Sequence, residues 1–275
     1  MRSLLLSVLL LVLSNTLLAQ QAKQGNYTVT AAGTVLNAYT NVTSNIAVNA
    51  TTLSVASNTL TNSYFTTNLG VGDLILIIQM QGADMDIVTN TAVPVASGGW
   101  GGDYTVPMSI WTDFGAGNFS TVAAKRHEWG AVTNYNNSGK YEYAEVLSVS
   151  GTNTINVRCA LKNAYTVNGH VQVVRVPRIG NLTLNPSTTI IPTAWNGTIG
   201  GIVALEVNGT LNFGTNSKII ASGYGFRGGI VEDLTTGDGP ATDVGYPGYS
   251  SANKGAEKGE GIGGSPAAEY ATLYS

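Results

Sequence analysis

Cysteine, histidine and charge are all scarce in this chain, and each scarcity removes a class of function. A single cysteine, Cys159, excludes an internal disulfide framework. It lies in the β-like stretch Ile155 to Leu161, where a packed side chain is expected rather than a nucleophile. The two histidines, His127 and His170, lack the HExxH spacing of a zinc hydrolase, and neither GxSxG nor GK[ST] occurs. Thirteen basic residues stand against 16 acidic ones without a basic cluster, which argues against nucleic acid because phosphate binding relies on grouped lysine and arginine. Only Leu4 to Leu18 is a long apolar run. With Arg2 before it and Ala19 and Gln20 after it, that run reads as a secretory signal over residues 1–20, leaving no membrane span in the mature chain.

What is present is glycine, threonine, asparagine and valine, an all-β composition with 34 glycines. Residues 24–177 read as a first β-domain, a small barrel or sandwich. The segment LGVGDLILIIQMQG is nearly continuous in apolar residues and predicts a strand buried on both faces or crossing a barrel interior. YEYAEVLSVSGTNTINVRCAL predicts a hairpin turning at Gly151 to Asn153. Alternation along its first strand places Glu142 and Glu145 on opposite faces, so they cannot act as a glycosidase pair.

Residues 82–140 form a long insertion rich in glycine, asparagine and aromatics. Trp100, Tyr104, Trp111 and Trp129 on such a loop are candidates for stacking on sugar rings, the alternative being a local cluster that pins the loop down. Asp84 and Asp86, at i and i+2 after Gly82, are the nearest approach to a calcium site, although two ligands fall short of the six to eight that calcium takes. A solvated turn is the alternative. Calcium at these two residues is the one cofactor that the sequence raises.

Residues 178–229 carry the pattern of a β-solenoid. Val203, Leu205 and Val207 alternate with Ala204, Glu206 and Asn208, and after short turns Leu211 and Phe213, then Ile219 and Ala221, repeat the alternation. Matching Leu182 and Leu184 to Leu205 and Val207 sets the expected length of one coil. Trp195 is expected to cap the open end of the column. Gly223, Gly225, Gly228 and Gly229 are expected to shape a tight corner, with Phe226 and Arg227 over it. Residues 230–275 are glycine-rich without a closing strand, as in the leading part of a longer polypeptide.

The run AWNGTIGGIVALEVNGTLNFGTNSKIIASGYGFRGG, preceded by VGDLILIIQMQG and VQVVRVP, resembles the leading regions of large secreted adhesin-like surface proteins of Bacteroidota and gliding bacteria. The resemblance implies an all-β fold, a small barrel or sandwich followed by the start of a β-helix. It further implies export, in Bacteroidota often by type IX secretion, and adhesion to surface glycans or other cell-surface components rather than catalysis. A β-helix polysaccharide lyase or glycoside hydrolase is the alternative, with Glu206 or Glu232 as the acid. A purely structural fibre spacer is a third reading.

Overall fold

The computed structural model describes residues 21–85, 132–227 and 260–263. The fold is all-β, with six strands curled into a small antiparallel barrel and the first coils of a parallel β-helix. Residues 21–80 and 139–227 form one compact unit, and residues 81–85, 132–138 and 260–263 belong to a second.

The barrel is built from β2 (Ala38–Asn41), β3 (Thr52–Ser54), β4 (Leu74–Gln79), β7 (Tyr141–Ser150), β8 (Thr154–Val157) and β9 (Val171–Val176). Their order is β2-β9-β4-β7-β8-β3, and an antiparallel bridge between Val42 and Val55 brings the two edge strands together. Closure removes the unpaired edges that an open sheet would expose. Leu53, Ile75, Ile77, Val146, Ile155 and Val173 fill the interior.

The expected two-faced burial of the apolar strand holds, and extends to its neighbour. All six residues of β9 are buried. Val171 and Val173 face the barrel interior, whereas Val174 and Val176 join Leu76 and Ala204 in a second cluster on the outer face. The strap covering that outer face is the stretch around residues 200–204, held by side-chain amides. Asn37 Nδ2 donates to Ala204 O (2.7 Å) and its Oδ1 accepts from Ala204 N (3.1 Å). Gln172 makes the same reciprocal pair with Gly200, and Tyr39 donates to Ile202 O. A buried amide paired in this way leaves neither its own groups nor the strap backbone unsatisfied.

The solenoid departs from expectation in two ways. Its coils are longer than expected: β10 (Arg178–Ile179), β11 (Leu182–Leu184) and β12 (Thr189–Ile190) pair in parallel with β13 (Glu206–Val207), β14 (Leu211–Phe213) and β15 (Lys218–Ile219). One turn of the coil therefore carries the chain from Leu182 to Leu211, past the Leu205 at which alternation would have ended it. Residues 201–205 are not a strand of the next coil. They form the strap, with Ile202 and Ala204 on the barrel and Val203 and Leu205 on the solenoid core.

The second departure is that β1 (Tyr27–Val29) belongs to the solenoid and not to the barrel domain. It pairs in parallel with β11, Tyr27 opposite Leu182. Residues 27–34 are thus the first rung, and the barrel is inserted between the first rung and the second. One turn recurs in all three rungs. Thr34, Thr188 and Ser217 each donate a hydroxyl to the carbonyl three residues back, on Ala31, Asn185 and Gly214. The residue before each hydroxyl is left-handed: Gly33, Ser187 and Asn216.

Trp195 does not cap an open end. It is 4% exposed and sits edge-on between His170 and Phe226, at 6.2 and 5.7 Å, with its backbone N–H donating to Tyr224 O. The next pass of the chain covers it. Cys159 is exposed, because β8 ends at Val157 and the strand expected to bury it does not reach that far. Gly223 has a φ of +81° and serves the corner as expected, but Gly225 has open space around it and no left-handed backbone. Residues 1–20, Gly228 and Gly229 lie outside the described residues. Among those described, no helix is long and apolar enough to cross a membrane.

A tight approach between coils occurs at Gly214, where a Cβ would lie 2.6 Å from Pro186 N and 2.7 Å from Leu184 O. Gly214→Ala is expected to destabilise the protein by about 1–3 kcal/mol through forced separation of the coils. Gly225→Ala is expected to stay within about 0.5 kcal/mol of the parent. Chemical denaturation of both variants checks the pair.

Candidate functional site

Asp73 and Arg175 organise a sizeable cleft among the described residues. Arg175 occupies an inward position of β9, where alternation would otherwise place another valine, and it lies across the sheet from Ile75. Asp73 immediately precedes β4. Arg175 and Asp73 are 3% and 1% exposed, and Arg175 Nη2 donates to Asp73 Oδ2 at 2.6 Å. Burying a charge is costly unless it is paired and hydrogen-bonded, and both conditions are met.

The rest of the guanidinium closes the loop between β3 and β4 over the barrel end. Nη1 donates to Leu60 O (3.1 Å) and Thr67 O (2.7 Å), and the guanidinium lies 4.1 Å from the centre of the Phe65 ring. Asn62 shapes the same loop: its Oδ1 accepts from the backbone N–H groups of Tyr64 and Phe65, and its Nδ2 donates to Asn37 O. That turn presents two aromatic rings in succession. Tyr64 stands edge-on to Phe65 (4.9 Å) and to Tyr27 of the first solenoid rung (4.8 Å).

An open cleft of about 420 Å³ is lined by Tyr27 of the first rung and by Tyr64 and Phe65 of this loop, among others. Thr66, Thr67 and Asn68 form an exposed polar rim. Lys23 crosses the mouth, donating to Asp73 Oδ1 (2.6 Å) and Val71 O (2.7 Å). Its lining thus combines aromatic rings, hydroxyl and amide groups, and the paired charges of Asp73, Arg175 and Lys23. That is the make-up of a site for a small polar ligand with apolar faces.

Burial raises the Tyr64 phenol to about 12, with Tyr27 adding to the shift and Arg175 opposing it. Burial also lowers Arg175 from its ordinary value, against the pull of Asp73. The Tyr64 hydroxyl and Arg175 Nε are both buried without a hydrogen-bond partner.

Away from the cleft, Glu142 and Glu145 take opposite faces of β7, as alternation predicts. Glu142 turns inward, accepting from Tyr165 OH and from the backbone of Lys162 and Asn163. Glu145 turns outward into a charged row: Arg158 and Arg178 both donate to it, and Arg178 forks onto Glu206 of the next coil at 2.8 and 3.3 Å. Glu206 is therefore committed to a guanidinium rather than poised over a cavity. Tyr141 and Tyr143 stand exposed on that outer face, about 7 Å apart along the strand.

Most residues picked from the sequence fall elsewhere. Trp100, Tyr104, Trp111, Trp129, Asp86, His127 and Glu232 lie outside the described residues. Asp84 opens the two-residue strand β5 (Asp84–Met85), which pairs with β6 (Val132–Asn134) in the second unit, Asp84 opposite Asn134. In that unit Gln81 Nε2 donates to Gly261 O and Ala83 N to Ile262 O, so the glycine-rich segment returns to the base of the insertion. Gln79 is turned elsewhere, its Oε1 accepting from Thr166 N. Among the described residues no three metal-binding side chains gather.

No family model matches the chain, and no curated protein matches it either. Three phage tailspikes share some structural similarity. The tailspike protein gp49 from Pseudomonas phage LKA1 is 19% identical over 66% of this chain, with a TM-score of 0.27. The tailspike gp61 of Pseudomonas phage phi297 is 11% identical over 67%, with a TM-score of 0.26. Gp54 of Acinetobacter baumannii bacteriophage AP22, solved in complex with capsular saccharide, is 15% identical over 71%, with a TM-score of 0.28. The chain spans only 22%, 20% and 28% of these three proteins.

Asp73→Asn leaves a buried guanidinium without its counter-charge and is expected to cost about 3 kcal/mol. Lys23→Met, at a partly exposed ion pair, is expected to cost less than about 1 kcal/mol. Urea melts of the two variants decide whether the inner pair or the outer one holds the cleft.

Tyr39 and Tyr64 are both raised by burial to about 12. A raised folded-state value means that the native protein holds these protons more tightly than the unfolded chain. Their contribution to stability is complete below the ordinary tyrosine value of about 10 and is lost as pH climbs towards 12. Alkaline titration should therefore show tyrosinate absorbance and loss of tertiary circular dichroism developing together above pH 10, and separate transitions would refute the link.

Proposed function

We propose that the chain is a secreted, adhesin-like surface module that binds saccharide in the cleft beside Asp73 and Arg175. The observation that carries this reading is the cleft's composition. Tyr27 and Tyr64 are among its lining residues, together with the exposed Thr66, Thr67 and Asn68. A sugar ring offers the complementary surface, an apolar face bounded by hydroxyls. The charged groups below are already paired with one another, which suits binding of a neutral or weakly charged ligand better than proton transfer. The leader-like residues 1–20 and the resemblance of the solenoid segment to Bacteroidota surface proteins support the same reading. Affinity at one such open site is weak, and repetition along a larger surface protein would supply avidity.

A glycan-degrading β-helix is the competing reading, favoured by the row Arg158, Glu145, Arg178 and Glu206 across barrel and adjacent coils. A glycan array on purified residues 21–275, followed by reducing-sugar and unsaturated-end assays on any glycan bound, separates the two. Saturable binding without product is expected. Thr66→Ala and Asn68→Ala are expected to weaken it about tenfold, or ~1.4 kcal/mol, at unchanged melting temperature, whereas Tyr143→Ala on the outer face of β7 has no effect. Product release, or binding lost only in Tyr143→Ala, would overturn the cleft assignment.

A further inference from the structure

The cleft holds more positive charge than negative. Among its described lining residues, the groups charged at neutral pH are Lys23, Arg175 and Asp73, two cations against one carboxylate. Both oxygens of that carboxylate are engaged. Oδ1 accepts from Lys23 Nζ, and Oδ2 accepts from Arg175 Nη2 and from Gly70 N (2.9 Å). The neighbouring ion row supplies no compensating acid, since Arg158 and Arg178 there face Glu145 and Glu206 in equal number. The surplus is local, because the chain as a whole has a net charge of −3.

Hydrogen-bond donors are in surplus as well. An ammonium has three N–H groups, and among the described residues Lys23 gives two of them, to Asp73 and to Val71 O. Two further lining residues, Tyr64 and Arg175, each hold a buried polar atom without a partner, the hydroxyl and Nε. Lys23 is moreover fixed from behind. Gln24 N donates to Arg178 O (2.9 Å) and Gln24 Oε1 accepts from Arg178 N (2.6 Å), which ties the adjoining backbone to the second rung. The Lys23 side chain remains 34% exposed, so its ammonium is positioned in advance and still open to solvent. Little further ordering is needed for it to take another acceptor.

We infer that the cleft selects a saccharide bearing a carboxylate, a uronic acid, over its neutral counterpart, with the ligand carboxylate accepting from Lys23 Nζ at the mouth. This rests on the saccharide reading of the cleft and specifies its ligand. One negative charge matches one surplus cation. A carboxylate is also more basic than a sulfate ester and so accepts the stronger charge-assisted hydrogen bond, as Asp73 already does from the same ammonium.

The test screens residues 21–275 against neutral, uronate and sulfated glycans. The tightest-binding uronate oligosaccharide is then titrated beside its carboxyl-reduced form, in which a hydroxymethyl group replaces the carboxylate. The uronate is expected to bind about fivefold tighter at about 50 mM salt, the scale of a partly exposed ion pair, and the ratio to fall towards one at about 0.5 M. Lys23→Met is expected to bring the ratio close to one at low salt. Lys218→Met, which removes the same charge from the third rung, should keep it. A parent ratio of one, tighter binding of sulfated glycans, or a ratio that survives Lys23→Met or is lost equally in Lys218→Met would overturn the inference and leave the saccharide reading standing. Binding that ignores both Thr66→Ala and Asn68→Ala, or no glycan bound at all, would overturn that reading and the inference with it.

Discussion

Parallel pairing of β1 with β11 is the constraint from which the rest of the architecture follows. It joins Tyr27 to Leu182, across more than half the chain, and so requires everything between them to leave the stack and return to the same level. A closed barrel does this directly, since its first strand β2 and last strand β9 are hydrogen-bonded neighbours. The chain leaves the first rung shortly before β2 and re-enters the second immediately after β9. Non-local pairing of this kind carries a loop-closure cost that only a well-packed insertion can offset, and the barrel core provides that packing.

β9 is where the two architectures share material. One face completes the barrel, and the other takes the strap that leads from the second rung to the third. Such a strand has no solvent side on which to place polar residues, yet it carries Gln172 and Arg175. Each is held by specific partners: Gln172 by the Gly200 backbone, and the Nη1 and Nη2 groups of Arg175 by Asp73 and the carbonyls of the cleft loop. A buried polar group tolerates few alternative packings, because any shift leaves it unsatisfied. These two side chains therefore fix where the strap lies and where the loop closes, while the valines between them supply bulk burial.

The all-β class, the two-sided burial of Leu74–Gln79, the hairpin at Gly151 and the opposite facing of Glu142 and Glu145 were legible because each is local and has a period of two. The coil length was not, because alternation reads strand faces but not strand partners. Leu205 lay in a valid alternating run, yet its stretch packs as a strap. The decisive signal was the turn. LTLNPSTTII and LNFGTNSKII share a hydroxyl after a left-handed position, and YTVTAAGTVL near the start of the chain carries the same feature far upstream of both. Comparing turns rather than apolar runs would have given both the register of Leu182 on Leu211 and the membership of β1. The cleft was hidden for another reason. Its key residue is an arginine inside VQVVRV, and its partner precedes the apolar strand by one position; nothing local says that the two meet. A charge at an inward position of an otherwise apolar strand is the readable clue, since it demands a buried counter-charge somewhere in the chain.

The loop between β3 and β4 serves the solenoid and the cleft together. The loop that packs Tyr64 against the solenoid core also contributes Thr66, Thr67 and Asn68 to the cleft. Arg175 serves both purposes, tying the loop to the barrel through Leu60 and Thr67 and holding Phe65 in place. In the third rung Leu211, Phe213 and Ile219 are more exposed than Leu182, Leu184 and Ile190, which they pair beside in the second.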